Sequence, residues 1–393
     1  MVVIADDITG AAEIAGIAFS KGQEVRLLCG TAAADSDCPM HCGIAVADSD
    51  CPAHCGTAAV TTTVIATDTR SMSEAEAVAE TKRITSSLLT SRVSCLIFKK
   101  TDSALRGHVV AELEALMQAT GCQRCVYLPA NPSKGRIIRN GVYYIKEVSS
   151  NGQEVREVPI AETAFSYDPE FPAKTSVLKE RFPDAQAKGI IMPDAESEDD
   201  IRRIVAEYND GKTLFAGAAD LFSAMLGDTS NYRDSGNSNN PSKTSALGSC
   251  TLILCGSTQS KPLELGIPIA QMPREVYDGE QGADYWFSSL SSSLFPLTSL
   301  ILTIPHTHRT GKEAAVHLRT VMAEMAKKVV EMHRPDHLII EGGATAWATL
   351  QTLGWTQFQI VCQIAPGVVQ MRSQSGTLVT LKPGSYSWGG LMG

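Results

Sequence analysis

No run of apolar residues in this 393-residue chain approaches the roughly 20 that a membrane-spanning helix needs. That removes an integral membrane protein built from helices. Positive charge is also in short supply, with 34 Lys and Arg against 43 Asp and Glu and a net charge of −9. A general binder of nucleic acid or of acidic membrane wants a basic face, so neither partner is expected. An anionic substrate would have to be met by cations concentrated locally. Met1-Val2-Val3-Ile4 runs straight into Ala5-Asp6-Asp7 with no basic n-region or apolar h-region, so export is not expected and a cytoplasmic location is. The abrupt start, a strand from residue 2, suggests that a few leader residues are missing. Eleven cysteines, an odd number scattered along a long chain, read as reduced thiols rather than as a disulfide framework.

Several fingerprints are missing too. There is no G-x-x-x-x-G-K-[ST]; Gly311-Lys312 is followed by Glu313 and lacks the earlier glycine, which excludes a Walker-type fold. There is no G-x-G-x-x-G, so a dinucleotide-binding Rossmann domain has no support. A D-x-D-x-T phosphatase motif after the first strand fails because Asp6 and Asp7 are adjacent. His333 and His337 are four apart, but Pro335 between them breaks any helix that would make them a zinc pair.

What is present is an ordinary globular composition, 44% hydrophobic and 20% charged, in a chain long enough for two domains. The first 130 residues alternate short apolar runs with polar loops and helical stretches. Strands are expected at Val2–Ala5, Val25–Cys29, 60–67, 93–98 and Cys125–Leu128, with helices at 11–20, from a Ser73/Glu76 capping box to about Leu89, and from Gly107 to about Ala119. Residues 129–172 turn irregular, and a strand–helix unit follows, with a strand at 189–192 and an acid-led helix near Glu198. Residues 227–247 contain little to bury and read as a linker. Beyond it, strands are expected at 252–255, 300–304, 337–340, 359–363 and 377–381, with one helix at about 311–332 and another that follows Glu341-Gly342-Gly343-Ala344-Thr345 and runs to about Leu353. The fold class is α/β: two α/β domains, each a largely parallel sheet flanked by helices, with the active site in an interdomain cleft. The domains would be 1–226 and 248–393.

Ligands of open parallel sheets sit at the carboxyl ends of the strands. Three loops in the first half carry polar residues there: Asp6-Asp7 with Thr9, Asp68-Thr69-Arg70, and Lys99-Lys100-Thr101-Asp102-Ser103 with Arg106. Paired acids beside cations suit a substrate that is polyhydroxylated and anionic, because carboxylates accept from hydroxyls and Arg clamps a carboxylate. The plainer alternative is that such acids only cap the following helices. The second half offers glycines at strand ends instead: Gly256-Ser257, Gly342-Gly343-Ala344-Thr345, Pro366-Gly367 and Lys382-Pro383-Gly384-Ser385. Backbone that approaches closely, next to a helix N-terminus, suits a polyphosphate, although each glycine alone is an ordinary turn residue.

One tandem repeat stands apart. Residues 34–43 recur as 47–56 with a single change, Met40 to Ala53. Cys38, His41, Cys42, Cys51, His54 and Cys55 would suit a soft metal by type, but Cys-x-x-His-Cys is not a usual ligand spacing. A duplicated, tolerant loop is the simpler account, and a metal- or redox-responsive binding protein stays as the rival class.

Taken together, Ile4-Ala5-Asp6-Asp7-Ile8-Thr9-Gly10-Ala11, Asp68-Thr69-Arg70-Ser71 and Lys99-Lys100-Thr101-Asp102-Ser103-Ala104-Leu105-Arg106-Gly107 resemble the signature blocks of the four-carbon acid sugar kinase family. Further matches are Pro129-Ala130-Asn131-Pro132 with Gly135-Arg136, Asp168-Pro169, Gly342-Gly343-x-Thr345 and Lys382-Pro383-Gly384-Ser385-Tyr386. The resemblance spans nearly the whole chain. It implies a sugar-acid-binding N-terminal domain and a nucleotide-binding C-terminal domain that transfer the γ-phosphoryl of ATP, with Mg²⁺, to a hydroxyl of threonate, erythronate or an oxo-tetronate. It places Asp6, Asp7, Arg70, Lys100, Thr101, Asp102, Ser103 and Arg106 at the sugar acid, with Arg70 and Lys100 on the C1 carboxylate and Asp7 or Asp102 orienting and deprotonating the hydroxyl. Ser257, Gly342, Gly343, Ala344, Thr345, Gly367, Lys382 and Gly384 would contact ATP. Ala344 stands where the family commonly has Asp, and the Cys-His repeat is foreign to the pattern. The Mg²⁺ ligands are not singled out, a homodimer is left open, and a kinase of another small hydroxy acid or sugar is the alternative.

Overall fold

The computed structural model describes residues 1–30, 61–90, 96–148, 155–168, 170–227, 250–256, 265–290, 299–305 and 311–384. The Cys-His repeat, Ser257 and nearly all of the expected linker lie outside these residues. The chain divides into two compact units: Met1–Glu24 with Gly30–Asn231, and Val25–Cys29 with Tyr232–Gly393. Among the described residues no helix is long and apolar enough to cross a membrane.

The strands in chain order are β1 (Val2–Ala5), β2 (Glu24–Cys29), β3 (Thr61–Ala66), β4 (Ile97–Lys100), β5 (Arg124–Leu128), β6 (Arg136–Arg139), β7 (Val142–Val148), β8 (Val155–Pro159), β9 (Ile190–Ile191) and β10 (Thr213–Gly217). After them come β11 (Thr251–Cys255), β12 (Ile269–Gln271), β13 (Ser299–Thr303), β14 (His337–Glu341), β15 (Gln357–Ala365), β16 (Val368–Ser373) and β17 (Leu378–Lys382). The helices are α1 (Ile8–Ser20), α2 (Glu74–Thr90), α3 (Val109–Thr120), α4 (Leu178–Arg181), α5 (Glu198–Tyr208), α6 (Ala219–Leu226), α7 (Arg274–Tyr277), α8 (Ala283–Ser289), α9 (Lys312–His333) and α10 (Gly343–Leu353).

In the first unit the sheet runs β3-β1-β4-β10-β5-β9, parallel throughout. Continuous buried runs such as Val2-Val3-Ile4-Ala5 fit this arrangement, because a parallel strand is covered on both faces and cannot afford alternation. Asp7 caps α1 by accepting from the Gly10 N–H at 2.9 Å. Ser73 and Glu76 form the expected reciprocal cap at the start of α2, and Gly121, in the left-handed region, ends α3. A second capping box, Ser197 with Asp200, starts α5.

Several elements lie where the sequence reading places none, β10, α4, α6, β12, α7 and α8 among them, and two further departures bear on the topology. The stretch expected to be irregular contains a three-stranded antiparallel sheet, β6-β7-β8. Its first turn is Asn140-Gly141, both at positive φ, the two-residue hairpin geometry that Asn-Gly favours. Asp194 accepts from both turn N–H groups, at 2.7 and 2.8 Å. The apolar run 25–29, expected as a strand of the N-terminal domain, belongs by its contacts to the second unit. There β2 pairs antiparallel with β15, Leu27 opposite Phe358.

The second unit's sheet runs β12-β13-β11-β14-β17 in parallel, then continues antiparallel through β16, β15 and β2. Ile253, Ile301 and Ile339 form the centre of its core. At about 2 kcal/mol for each fully buried aliphatic side chain, such positions dominate the local stability. Strand β16, between the two strands expected at the end of the chain, was not anticipated; it returns from a Pro366-Gly367 turn. Helix α9 ends at His333, Arg334 turns left-handed and Pro335 follows, so His333 and His337 share no helix.

Candidate active site

In the first unit the carboxyl ends of β1, β3 and β4 lie side by side, Ala5 opposite both Ala66 and Lys100. Their loops therefore converge, and Arg70 is the hub. Its Nε and Nη2 donate to Asp6 Oδ2 at 3.0 and 2.8 Å. Nη2 also lies 3.2 Å from Asp7 Oδ1, and Nη1 lies 3.6 Å from Asp102 Oδ1. One guanidinium thus serves three carboxylates. Asp68, left-handed at φ 56°, turns the chain into this position and accepts from the Ser71 hydroxyl.

The three acids differ in electrostatic state. Burial raises the pKa of Asp6 above the usual carboxylate value despite Arg70, and its Oδ1 has no hydrogen-bond partner among the described residues. Burial also works against the charge on Asp7. There the nearby Arg70, the Thr9 hydroxyl and Lys100 prevail and hold its pKa below normal. For Asp102, burial is opposed by Arg70 and Arg106, and the carboxyl is held well below the usual range. Arg106 forks onto Asp102 at 2.8 and 2.9 Å, and the Ala104 and Arg106 N–H groups add bonds of 3.0 and 3.3 Å. Asp7 and Asp102 are thus ionised acceptors fixed in place.

The loop between them is held from behind. Tyr143 donates to the Ser103 carbonyl, and Arg181 Nη2 donates to the Leu105 carbonyl at 2.9 Å. Leu105 is left-handed at φ 64°, a conformation an L-residue accepts only when its surroundings impose it. Gly107, at φ 96°, passes close enough that a Cβ there would lie 3.5 Å from Asp6 Oδ2. Thr101 is buried, its hydroxyl unpartnered among the described residues.

Adjacent Lys99 and Lys100 separate in space. Lys99 pairs with buried Glu112 at 2.5 Å, and Glu112 also accepts from Thr69 and Thr81 at 2.8 and 3.2 Å. This network braces the turn before Arg70. Lys100 instead faces Asp7 and lies 3.6 Å from Glu13, while donating to the Thr101 carbonyl at 2.9 Å. Two of the cluster's residues escaped the sequence reading altogether, Glu13 and Lys134, which pair with each other. Glu13 is the only charged residue of α1, and that isolation among Ala, Gly and Ile was an available signal. Arg136 donates to the Ser103 hydroxyl, and Asp168 lies 3.7 Å from Arg106.

A different edge forms in the second unit. Cys255 is opposite Glu341, Glu341 opposite Lys382, and Val369 opposite Leu381. This register brings Gly256, Gly342, Lys382 and the Gly367 turn to one end of the sheet. Gly342, at φ 95°, precedes α10, whose first turn has no side-chain cap; Gly343 and exposed Ala344 begin the helix. A Cβ at Gly256 would fall 2.1 Å from Thr345 Oγ1, so only glycine fits there. Lys382 is buried, pairs with Glu341, and donates to the Pro383 and Gly384 carbonyls at 3.2 and 3.4 Å. Oε2 of Glu341 is buried with no hydrogen-bond partner among the described residues.

A family model described as a sugar-binding N-terminal domain matches residues 1–184, and one described as a nucleotide-binding C-terminal domain matches residues 302–386. The chain belongs to the four-carbon acid sugar kinase family. Members are phosphotransferases with an alcohol group as acceptor. A 3-oxo-tetronate kinase of Actinobacillus succinogenes is 24% identical, the match covering 98% of this chain and 96% of the relative. A D-threonate kinase of Salmonella typhimurium is 26% identical over 57% of this chain and 53% of its own length. Among solved structures, a Haemophilus influenzae protein superposes with TM-score 0.64 at 20% identity, covering 100% of this chain and 98% of that one. A Salmonella typhimurium protein described as a tRNA synthase gives 0.68 at 18%, covering 100% and 97%. Likeness at that identity speaks for the shared fold alone.

Proposed function

We propose that this protein is a cytoplasmic ATP-dependent kinase that phosphorylates a hydroxyl of a four-carbon sugar acid of the threonate, erythronate or 3-oxo-tetronate class. The observation that carries the reading is the gathering of Asp6, Asp7 and Asp102 around Arg70, beside Lys100, at three adjacent strand ends. Fixed, ionised acids accept hydrogen bonds from a polyol, and the neighbouring cations favour an acid over a neutral sugar.

Phosphoryl transfer asks for positioning and charge neutralisation more than for covalent help. Asp7 and Asp102 orient the attacking hydroxyl, and one of them takes its proton as the new P–O bond forms and the bond from the γ-phosphorus to the departing ADP breaks. Arg70, whose donors go to three carboxylates, keeps those acids in place and offsets their mutual repulsion. Lys100 adds positive charge on the same side.

In the second unit, the uncapped N-terminus of α10 with Gly342, Gly343, Ala344 and Thr345 offers N–H groups to the phosphates of ATP. Lys382 adds a cation, Gly256 and Gly367 allow close approach, and Gly384 extends the same edge. The free Oε2 of Glu341 is a hard oxygen donor of the type Mg²⁺ takes, so Glu341 would hold the ion. Mg²⁺ bound with ATP supplies neutralisation of phosphate charge.

A coupled ATP-consumption assay across the threonate and erythronate isomers, the 3-oxo-tetronates and the matching neutral tetritols tests this reading. Turnover with at least one acid and little with the tetritols is expected. Turnover confined to neutral sugars would replace it.

A further inference from the structure

We propose that Arg136 recognises the carboxylate of the substrate and thereby sets the preference for a sugar acid over a neutral polyol. The inference rests on the kinase reading above and names the residue behind its substrate class. Most cations around the Thr101–Gly107 loop have a carboxylate partner. Arg70 is shared among Asp6, Asp7 and Asp102; Arg106 forks onto Asp102; Lys100 and Lys134 both meet Glu13. Arg136 has no carboxylate within 4.0 Å among the described residues. Its guanidinium donates to the Ser103 hydroxyl and lies 5.7 Å from the centre of the Phe165 ring, which Arg106 approaches from 5.9 Å.

A half-buried guanidinium without an acid is costly unless an anion arrives to share it. The aromatic ring and the Ser103 hydroxyl fix its plane but leave donors of the fork unused, and a carboxylate is the anion that such a fork fits in bidentate fashion. The position is also suitable. Arg136 begins β6, directly after the Asn131–Gly135 turn, and the antiparallel sheet β6-β7-β8 presents it to the Thr101–Gly107 loop. Its charge reaches Asp102, whose carboxyl it helps to keep ionised. A carboxylate held at Arg136 would leave the far hydroxyls of a short chain to Asp7 and Asp102.

The test uses the full chain with Arg136→Ala and Arg136→Lys. Binding of the preferred acid and of ADP is measured by calorimetry, and kcat/KM is measured for the acid and for its carboxyl-reduced tetritol. The Ala variant should weaken acid binding roughly 10- to 100-fold, the range for one hydrogen-bonded charge contact. ADP binding should be unchanged, and the loss with tetritol should be much smaller than the loss with the acid. Lys should recover part of the loss, since it keeps the charge but not the fork. Equal losses for acid and tetritol, or acid binding at the wild-type level, would overturn the assignment. Should the Ala variant fail to fold, the Lys variant decides: discrimination between acid and tetritol identical to wild type sinks the proposal. If the wild type prefers some other hydroxy acid, the four-carbon reading falls, and the same variant ratios on that acid still decide Arg136. A wild type that takes tetritols as readily as acids refutes Arg136 recognition while leaving a kinase.

Discussion

The two candidate edges are made of different material. In the first unit, charged side chains dominate: Asp6, Asp7, Asp102, Arg70, Arg106 and Lys100 interlock within a few ångströms. In the second, backbone dominates, with Gly256, Gly342 and Gly367 at strand ends and a single buried Glu341–Lys382 pair behind them. Both lie at the carboxyl ends of parallel strands, where open sheets of this kind place their ligands. A small polyol acid must be told from its isomers by groups of defined direction, whereas a phosphate chain is satisfied by rows of N–H groups and space. The side-chain edge should therefore fail through lost chemistry, the backbone edge through lost room.

The largest expected effect tests the chemistry of the first edge. Asp7→Asn or Asp102→Asn should lower kcat roughly 100-fold or more while ADP binding stays unchanged. Steady-state kinetics with parallel calorimetry would show it, and full turnover in both variants would remove these acids from the mechanism.

Next comes a contrast in acid sensitivity. His337, buried on β14 against the Thr380 hydroxyl at 2.8 Å, has its pKa lowered to about 4 by burial. A base whose folded pKa is depressed stabilises the fold above its unfolded pKa of about 6.5, and that contribution is lost as pH falls toward 4. The full shift corresponds to about 3 kcal/mol. Asp7 and Asp102, with lowered pKa values, stabilise above about pH 4 and lose their contribution only below it. Asp6, with its raised pKa, works in the opposite sense, favouring the fold at low pH. Melting temperatures from pH 7 to 4 should decline in the wild type and flatten in His337→Gln. An identical slope in both would show that another group governs the acid loss.

The smallest effect probes room. Gly256→Ala forces a methyl against Thr345 and should weaken ATP binding about 10-fold, with binding of the sugar acid unaffected. Adding Thr345→Ala should restore part of the affinity. If the double variant binds no better than Gly256→Ala, the contact is not the cause.

Much of this architecture was legible because its signals are local. Strand β1 is a four-residue apolar run followed by two acids; the Ser73 and Ser197 boxes announce α2 and α5. The antiparallel hairpin was equally legible in Arg139-Asn140-Gly141-Val142 but went unread among the surrounding Pro and Gly. Glu13 went unread because nothing nearby in sequence pairs with it; its partners are 87 and 121 residues away.

By itself, the sequence determined the alternation of strands and helices, the parallel character of both sheets' cores and the polar or glycine-rich chemistry at their strand ends. These follow from periodicity, capping and residue type, which act over a few residues. Only the tertiary structure decided that Arg70 serves three acids, that Lys99 turns away to Glu112 while Lys100 faces Asp7, and that Arg136 has no carboxylate within 4.0 Å among the described residues. It alone decided that the run 25–29 pairs with β15. Charges find partners through space, and a strand's backbone bonds carry no address in its sequence, so both outcomes depend on where the whole chain brings them together.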